Sequence, residues 1–113
     1  MTITYKKFFS PTVLTLAAAT LMTVDAAPAS TLLRGARIRL ANTTGTAATV
    51  TLYAVPLAGA AGTGNAFVAG KTIAANDVLD VDVPIMAAGD FIAGLAGTAS
   101  AITAHMVSGS LFS

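Results

Sequence analysis

The chain has no cysteine, no tryptophan and no glutamate, and only one histidine. Without cysteine there are no disulfides, no thiolate nucleophile and no thiolate metal site. That absence leaves the compartment open, because stable cysteine-free proteins occur in both redox environments. Without tryptophan, the flat aromatic platform common in carbohydrate-binding modules is missing. All five acids are Asp, so a calcium loop of the EF-hand type lacks its closing Glu. Charge is scarce as well: 10% of residues are charged, against about a quarter in an ordinary soluble domain. A net charge of +1 excludes strong electrostatic steering toward nucleic acid.

What is present is apolar and small. Hydrophobic residues make up 55% of 113 positions, and Ala, Gly, Thr and Ser dominate. This length supports one domain with one core. A small domain has much surface for its volume, so part of this apolar material must lie near the outside. Large apolar patches on soluble proteins usually mark interfaces. The composition therefore predicts a subunit of a larger assembly, a homo-oligomer in the first place.

Residues 1–30 imitate a secretory signal. Lys6 and Lys7 supply a basic start, Phe8 to Val24 carries no charge, and Ala27-Pro28-Ala29 resembles a small-residue cleavage site. Pro11 interrupts the run early, however, and Ser10, Thr12, Thr15, Thr20 and Thr23 replace the Leu-rich core of a strong signal. Val13–Leu16 and Thr20–Val24 read instead as two short strands. The segment is taken as structural, and a secreted protein is the alternative. Leu40–Gly70 and Phe91–Ser113 also lack charges over spanning length. Both are punctuated by Gly, Asn, Ser or Thr turn chemistry, so no membrane span is expected.

The clearest grammar lies in the middle. Arg37-Ile38-Arg39-Leu40 alternates, and the polar turn Asn42-Thr43-Thr44-Gly45 feeds a second alternating run to Val55. The two arms read as a β-hairpin, Leu33–Ala41 against Ala48–Val55. One face buries Ile38, Leu40, Val50 and Leu52, and the other shows Arg37, Arg39, Thr49 and Thr51. Further strands follow. Ala66–Val68 and Lys71–Ile73 form a pair or an extended link. Val78–Val83 sets Leu79, Val81 and Val83 opposite Asp80 and Asp82. Phe91–Ala96 holds a Gly94 that implies close backbone approach or a bulge, and Ala101–Ser108 alternates again. These features predict an all-β fold, a single antiparallel β-sandwich or jelly-roll-like domain of about seven to eight short strands. Its parts are an N-terminal arm (1–12), the sandwich (13–109) and a C-terminal tail (110–113), the two ends being extended terminal arms.

No catalytic residues, cofactor-binding residues or metal ligands are expected. Asp77, Asp80 and Asp82 form the densest acid group, and Asn76 adds an oxygen. Two acids two apart on a strand nonetheless read as a solvated face rather than a calcium site. His105 would need a hydroxyl nucleophile and an orienting acid such as Asp90, and no Gly-x-Ser-x-Gly elbow is present. The Gly59–Gly64 loop lacks the Lys of a phosphate-binding loop. Tyr5, Tyr53, Phe67, Phe91 and Phe112 are too scattered for a stacking platform. The candidate interface residues are the basic pair Arg37 and Arg39, the acidic pair Asp80 and Asp82, and the terminal anchors Phe8, Phe9, Leu111 and Phe112. The two charged pairs match, so they meet either across strands or across a subunit boundary.

The order of these motifs resembles small virion structural proteins of tailed bacteriophages. The resemblance is carried by Leu33–Asn42, the Thr-rich turn and strand to Pro56, Asn65, Ile73-Ala74-Ala75-Asn76, Gly89-Asp90-Phe91-Ile92 and the closing strand Thr103–Gly109. It covers roughly Val13–Gly109. It implies a noncatalytic, multicopy β-sandwich in the virion, assembled in the host cytoplasm as a head decoration, neck, collar or tail component. Its expected partners are its own copies and capsid, portal/neck or tail proteins, with no nucleic acid and no membrane. The alternative is a secreted bacterial β-domain, adhesin-like or carbohydrate-binding, with residues 1–29 as its signal peptide.

Overall fold

A computed structural model describes residues 2–113. Ten strands run in chain order: β1 (Ile3–Tyr5), β2 (Thr12–Val13), β3 (Ala19–Thr23), β4 (Leu32–Asn42), β5 (Ala48–Val55), β6 (Ala66–Ile73), β7 (Val78–Asp82), β8 (Met86–Ala87), β9 (Phe91–Ala96) and β10 (Ile102–Phe112). They form two antiparallel sheets packed face to face. One sheet has six strands, in the order β1-β10-β4-β7, with β2 also on β10 and β8 also on β4. The other has four, in the order β3-β9-β5-β6. This interleaving is that of a jelly roll. The count exceeds the expected seven to eight by β1 and β8, which have three and two residues. Pieces that short carry no alternation to read.

The expected hairpin between Leu33–Ala41 and Ala48–Val55 does not form. Both segments are strands with the predicted buried faces, but β4 pairs with β10 and β7, whereas β5 pairs with β9 and β6. The chain leaves one sheet at Asn42 and enters the other at Ala48. The physical reason is that a hairpin and an arch between sheets bury the same alternate positions. Ile38, Leu40, Val50 and Leu52 are all fully buried and belong to one core cluster between the sheets. Fully burying a Leu, Ile or Val side chain contributes about 1.5–3 kcal/mol, and that burial is the main force joining the sheets. The same core takes Leu33, Ile92 and Ile102.

Two glycines set the geometry of the sheets. Gly94 lies opposite Leu52 on the neighbouring strand, and a Cβ there would sit 2.7 Å from Leu52 Cδ2. Close approach is therefore the reason for this glycine. Gly35 has φ +65° and inserts an extra residue in β4, so the buried position steps from Leu33 to Ala36 before alternation resumes at Ile38.

The arch is held by Asn42, which is 2% exposed. Its Nδ2 donates to the carbonyls of Thr46 (2.8 Å), Ile73 (3.1 Å) and Ala74 (3.2 Å). Its Oδ1 accepts from the Thr44 N–H (3.0 Å) and the Thr44 hydroxyl (2.7 Å). One amide thus ties the end of β4 to its own turn and to the end of β6 in the opposite sheet. Asn42→Ala is expected to leave these groups unpaired and to cost about 3 kcal/mol. Asn42→Asp is expected to cost more, because a carboxylate would face three carbonyl oxygens. Urea unfolding checks both: the midpoint drops while the slope stays constant.

Candidate functional site

The exposed face of the six-stranded sheet carries the chain's ordered charge. Register places Arg37 opposite Asp82 and Arg39 opposite Asp80. Arg39 donates twice to Asp80, at 2.7 and 3.1 Å, and Arg37 donates once to Asp82, at 3.0 Å. The matched pairs therefore meet across β4 and β7 within one chain. All four side chains stay well exposed, with Asp82 at 80%. The hydrogen bond from Arg39 is the largest influence on the Asp80 carboxyl; desolvation opposes it, and the weaker attractions of Arg39 and Arg37 add to it, so the carboxyl is held below its ordinary range. The same hydrogen bond raises the already high value of Arg39.

The terminal anchors divide. Phe9 and Leu111 are 8% and 4% exposed and belong to the chain's own core. Phe8 packs partly on that core, with Lys6 Nζ 5.4 Å from its ring centre. The Arg34 guanidinium lies 5.2 Å from the ring centre of Phe112. The two terminal segments pair with each other: Ile3, Thr4 and Tyr5 face Phe112, Leu111 and Ser110. Lys6 also bonds Asp25 at 2.8 Å, which fastens the arm beside β3. The sequence reading did not anticipate this clamp, nor the role of Asn42. The only sequence sign of the second was a strand that ends in Asn before a Thr-Thr-Gly turn.

No reactive constellation is assembled from the candidates for chemistry. His105 sits on the outer face opposite Arg39, in a row with Asp80. Asp90 is occupied elsewhere: its two oxygens accept from the Leu57 and Ala87 N–H groups, each at 2.9 Å, and so close the turn into β9. Asp77 accepts from the Val78 N–H at 2.8 Å. Among the described residues, no three His, Asp or Glu side chains converge to hold a metal. No buried side-chain polar atom there lacks a partner. A depression of about 640 Å³ is an open groove between Lys6, Lys7 and Tyr5 and the Met106–Ser110 part of β10, and no acid or histidine lines it. Among the described residues, no helix is long and apolar enough to cross a membrane.

Exposed apolar side chains are the other feature of this sheet. Ile3, Tyr5 and Val13 lie on its β1/β2 edge, and Val78 and Ile85 lie on or beside its β7/β8 edge. These edges and the charged face between them are the candidate functional surface.

No protein-family model matches the chain, and no curated protein matches it in sequence. Solved structures do share the fold. One belongs to Bacillus endospore appendages, which form a novel family of disulfide-linked pili. It is 20% identical, with a TM-score of 0.53 over 97% of this chain and 86% of that one. Another comes from infectious bursal disease virus, Gx strain. It is 13% identical, with a TM-score of 0.51 over 97% of this chain. The present chain spans about a third of the length of that viral chain, 32%. At these identities the likeness is one of fold.

The Asp80 pair makes a test of the charged face. Because its folded-state pKa lies below the unfolded one, its contribution is complete above the unfolded value, near 3.9. The contribution is lost as pH falls through the folded value. Asp80→Asn is expected to melt lower than the parent at neutral pH, with the gap closing on acidification below about pH 4. Melting temperatures of both proteins across that range check the closure.

Proposed function

We propose that this chain is a noncatalytic structural subunit of a bacteriophage virion, acting as a capsid decoration protein or a neck, collar or tail component. The observation that carries this reading is the division of its surfaces. Among the described residues no buried side-chain polar atom lacks a partner, Arg37, Arg39, Asp80 and Asp82 are paired across strands, and Ile3, Tyr5, Val13, Val78 and Ile85 are exposed at or beside the edges of one sheet. Such a molecule has contact surfaces and no reactive centre. The two structural neighbours support an assembly role, since one is from pili and the other from a virus. The pili are linked by disulfides, whereas this chain has no cysteine, so disulfides do not join its copies.

The signal-peptide alternative would remove residues 1–29. In the folded chain these supply β1, β2 and β3, and Phe9, Leu14, Met22 and Val24 are in the core. Burying such side chains is worth about 1.5–3 kcal/mol each, so their loss would strip the sandwich of a large share of its stability. This supports the structural reading of the segment.

Mass spectrometry of virions purified from a host that carries this gene tests the proposal. The expected result is this chain as a multicopy component that starts at Met1 or Thr2. Its absence from purified particles would overturn the reading. A mature chain that starts at Ser30 would replace it with the secreted one.

A further inference from the structure

The folded chain engages all of its acids and leaves some of its bases without a counter-ion. We propose that a basic trough on the six-stranded sheet, running from Lys7 to Arg34, is the docking site for an extended acidic segment of a partner protein. The proposal rests on the structural-subunit reading and supplies the chemistry of the partner.

Charge comes first. All five Asp side chains have partners inside the chain. Asp25 meets Lys6, Asp80 meets Arg39 and Asp82 meets Arg37. Asp90 accepts two backbone N–H groups, and Asp77 accepts that of Val78. Of the six bases, Lys7, Arg34 and Lys71 enter no ion pair among the described residues. Lys71 stands apart on β6, in the four-stranded sheet. Lys7 and Arg34 line neighbouring depressions. The groove of about 640 Å³ beside Lys7 shares Gly35 and Ser110 with one of about 250 Å³, which in turn shares Arg34 and Phe112 with one of about 400 Å³. No Asp lines any of the three, and Ser113 at the far end makes no ion pair with Arg34. The surplus positive charge of the six-stranded sheet therefore lies along one continuous trough.

The strands explain why the trough is there. β1 leaves β10 after Tyr5, which faces Ser110, and β2 rejoins it at Thr12, which faces Ala104. Between them the chain turns Phe8 and Phe9 toward the core. Residues 105–109 of β10 thus have no strand beside them on that side. Toward β4 the register breaks at the same level: Val107 and Gly109 have no partner there, and neither do Gly35 and Ala36. A bulge leaves its extra residue unpaired and bends the strand. The Ser108 and Ser110 hydroxyls donate across the gap to the carbonyls of Gly35 (3.0 Å) and Arg34 (3.4 Å). Gly109 is required in this floor, since a Cβ there would lie 2.8 Å from Met106 Cε and 3.0 Å from Phe8 Cε2.

The lining fits a carboxylate with apolar neighbours. The Arg34 guanidinium lies over the Phe112 ring, 5.2 Å from its centre. A guanidinium placed over a ring keeps its N–H donors in its own plane, where they take a carboxylate two bonds at a time. Tyr5 is 79% exposed and Val107 46%, and Leu32 is 38% exposed at the Arg34 end. Tyr5, Ser110 and Arg34 form one row across β1, β10 and β4. Two strand spacings, about 10 Å, separate the backbones at its ends, and Lys7 lies two residues further along. An extended chain advances about 3.3 Å per residue, so carboxylates about four positions apart, on one face, reach both bases. A second copy does not offer them, because its Asp side chains are already engaged. Nor does a chain of net charge +1 neutralise the many phosphates that hold a nucleic acid.

Fluorescence anisotropy with a labelled peptide, Ser-Glu-Val-Tyr-Val-Glu-Ser, tests the site. Its controls are the same peptide with Gln for both Glu residues and an oligothymidylate of equal charge. The parent chain is expected to bind the acidic peptide with a Kd below about 1 mM, and the Gln peptide about tenfold more weakly. Arg34→Ala is expected to weaken binding about tenfold and Lys7→Ala about threefold, with melting temperatures held, whereas Lys71→Ala leaves it unchanged. No binding of the acidic peptide overturns the proposal. So does binding that Arg34→Ala and Lys7→Ala leave unchanged, a loss that Lys71→Ala matches, or equal affinity for the oligothymidylate. Self-association that Arg34→Ala abolishes, in place of peptide binding, assigns the trough to a second copy and overturns it too. If the trough fails while the chain is found in virions, the virion reading stands. Peptide binding through Arg34 and Lys7 by a chain that never enters virions upholds the trough and removes the virion reading instead.

Discussion

One buried amide pins the crossing between the two sheets. Asn42 stands where the chain crosses from the six-stranded sheet to the four-stranded one, and its side chain bonds the turn that follows it and the end of β6. Ile38 and Leu40 on one side and Val50 and Leu52 on the other make burial favourable, but burial is not directional. A polar group taken out of water without partners costs more than a net hydrogen bond returns, so Asn42 is tolerated at one crossing geometry only. Apolar packing brings the sheets together, and the amide selects how.

That selection has consequences along the chain. Once β4 and β5 are in different sheets, each must find its partners far away in sequence. β10 closes on β4 over nearly the whole length of both, and β9 closes on β5. The terminal segments are then drawn in, since the end of β10 needs a neighbour and β1 supplies it. A topology so rich in long-range pairing folds slowly and leaves strand edges open until late. In the folded state the outer strands of the four-stranded sheet carry register shifts, a device that blunts an edge against pairing.

The surface follows the same logic. Four of the eleven charged side chains form the Arg37–Asp82 and Arg39–Asp80 pairs, and Lys6 and Asp25 form a third contact. Exposed pairs of this kind add little stability and act mainly on register and on the choice of partner. With most of its ionic groups committed, the chain meets its surroundings through backbone edges and scattered apolar side chains.

The strands and their buried faces were legible in the sequence because the side-chain period of two is local. The buried set Ile38, Leu40, Val50 and Leu52 follows from spacing and residue type; at Gly94 the sequence left close approach and a bulge both open, and it left the Arg37/Arg39 and Asp80/Asp82 pairs open between a contact across strands and one across a subunit boundary. The two- and three-residue strands β8 and β1 were not legible, since so short a segment has no period. Pairing was decided by the tertiary structure alone. A hairpin and an arch bury the same residues, so the alternation of β4 and β5 is silent on which forms. The role of Asn42 became visible only once Ile73 and Ala74, some thirty residues away, were placed against it. Composition pointed to a role in contact with other chains. Only the arrangement of strands determined which edges it offers, because an edge is defined by what has not paired with it.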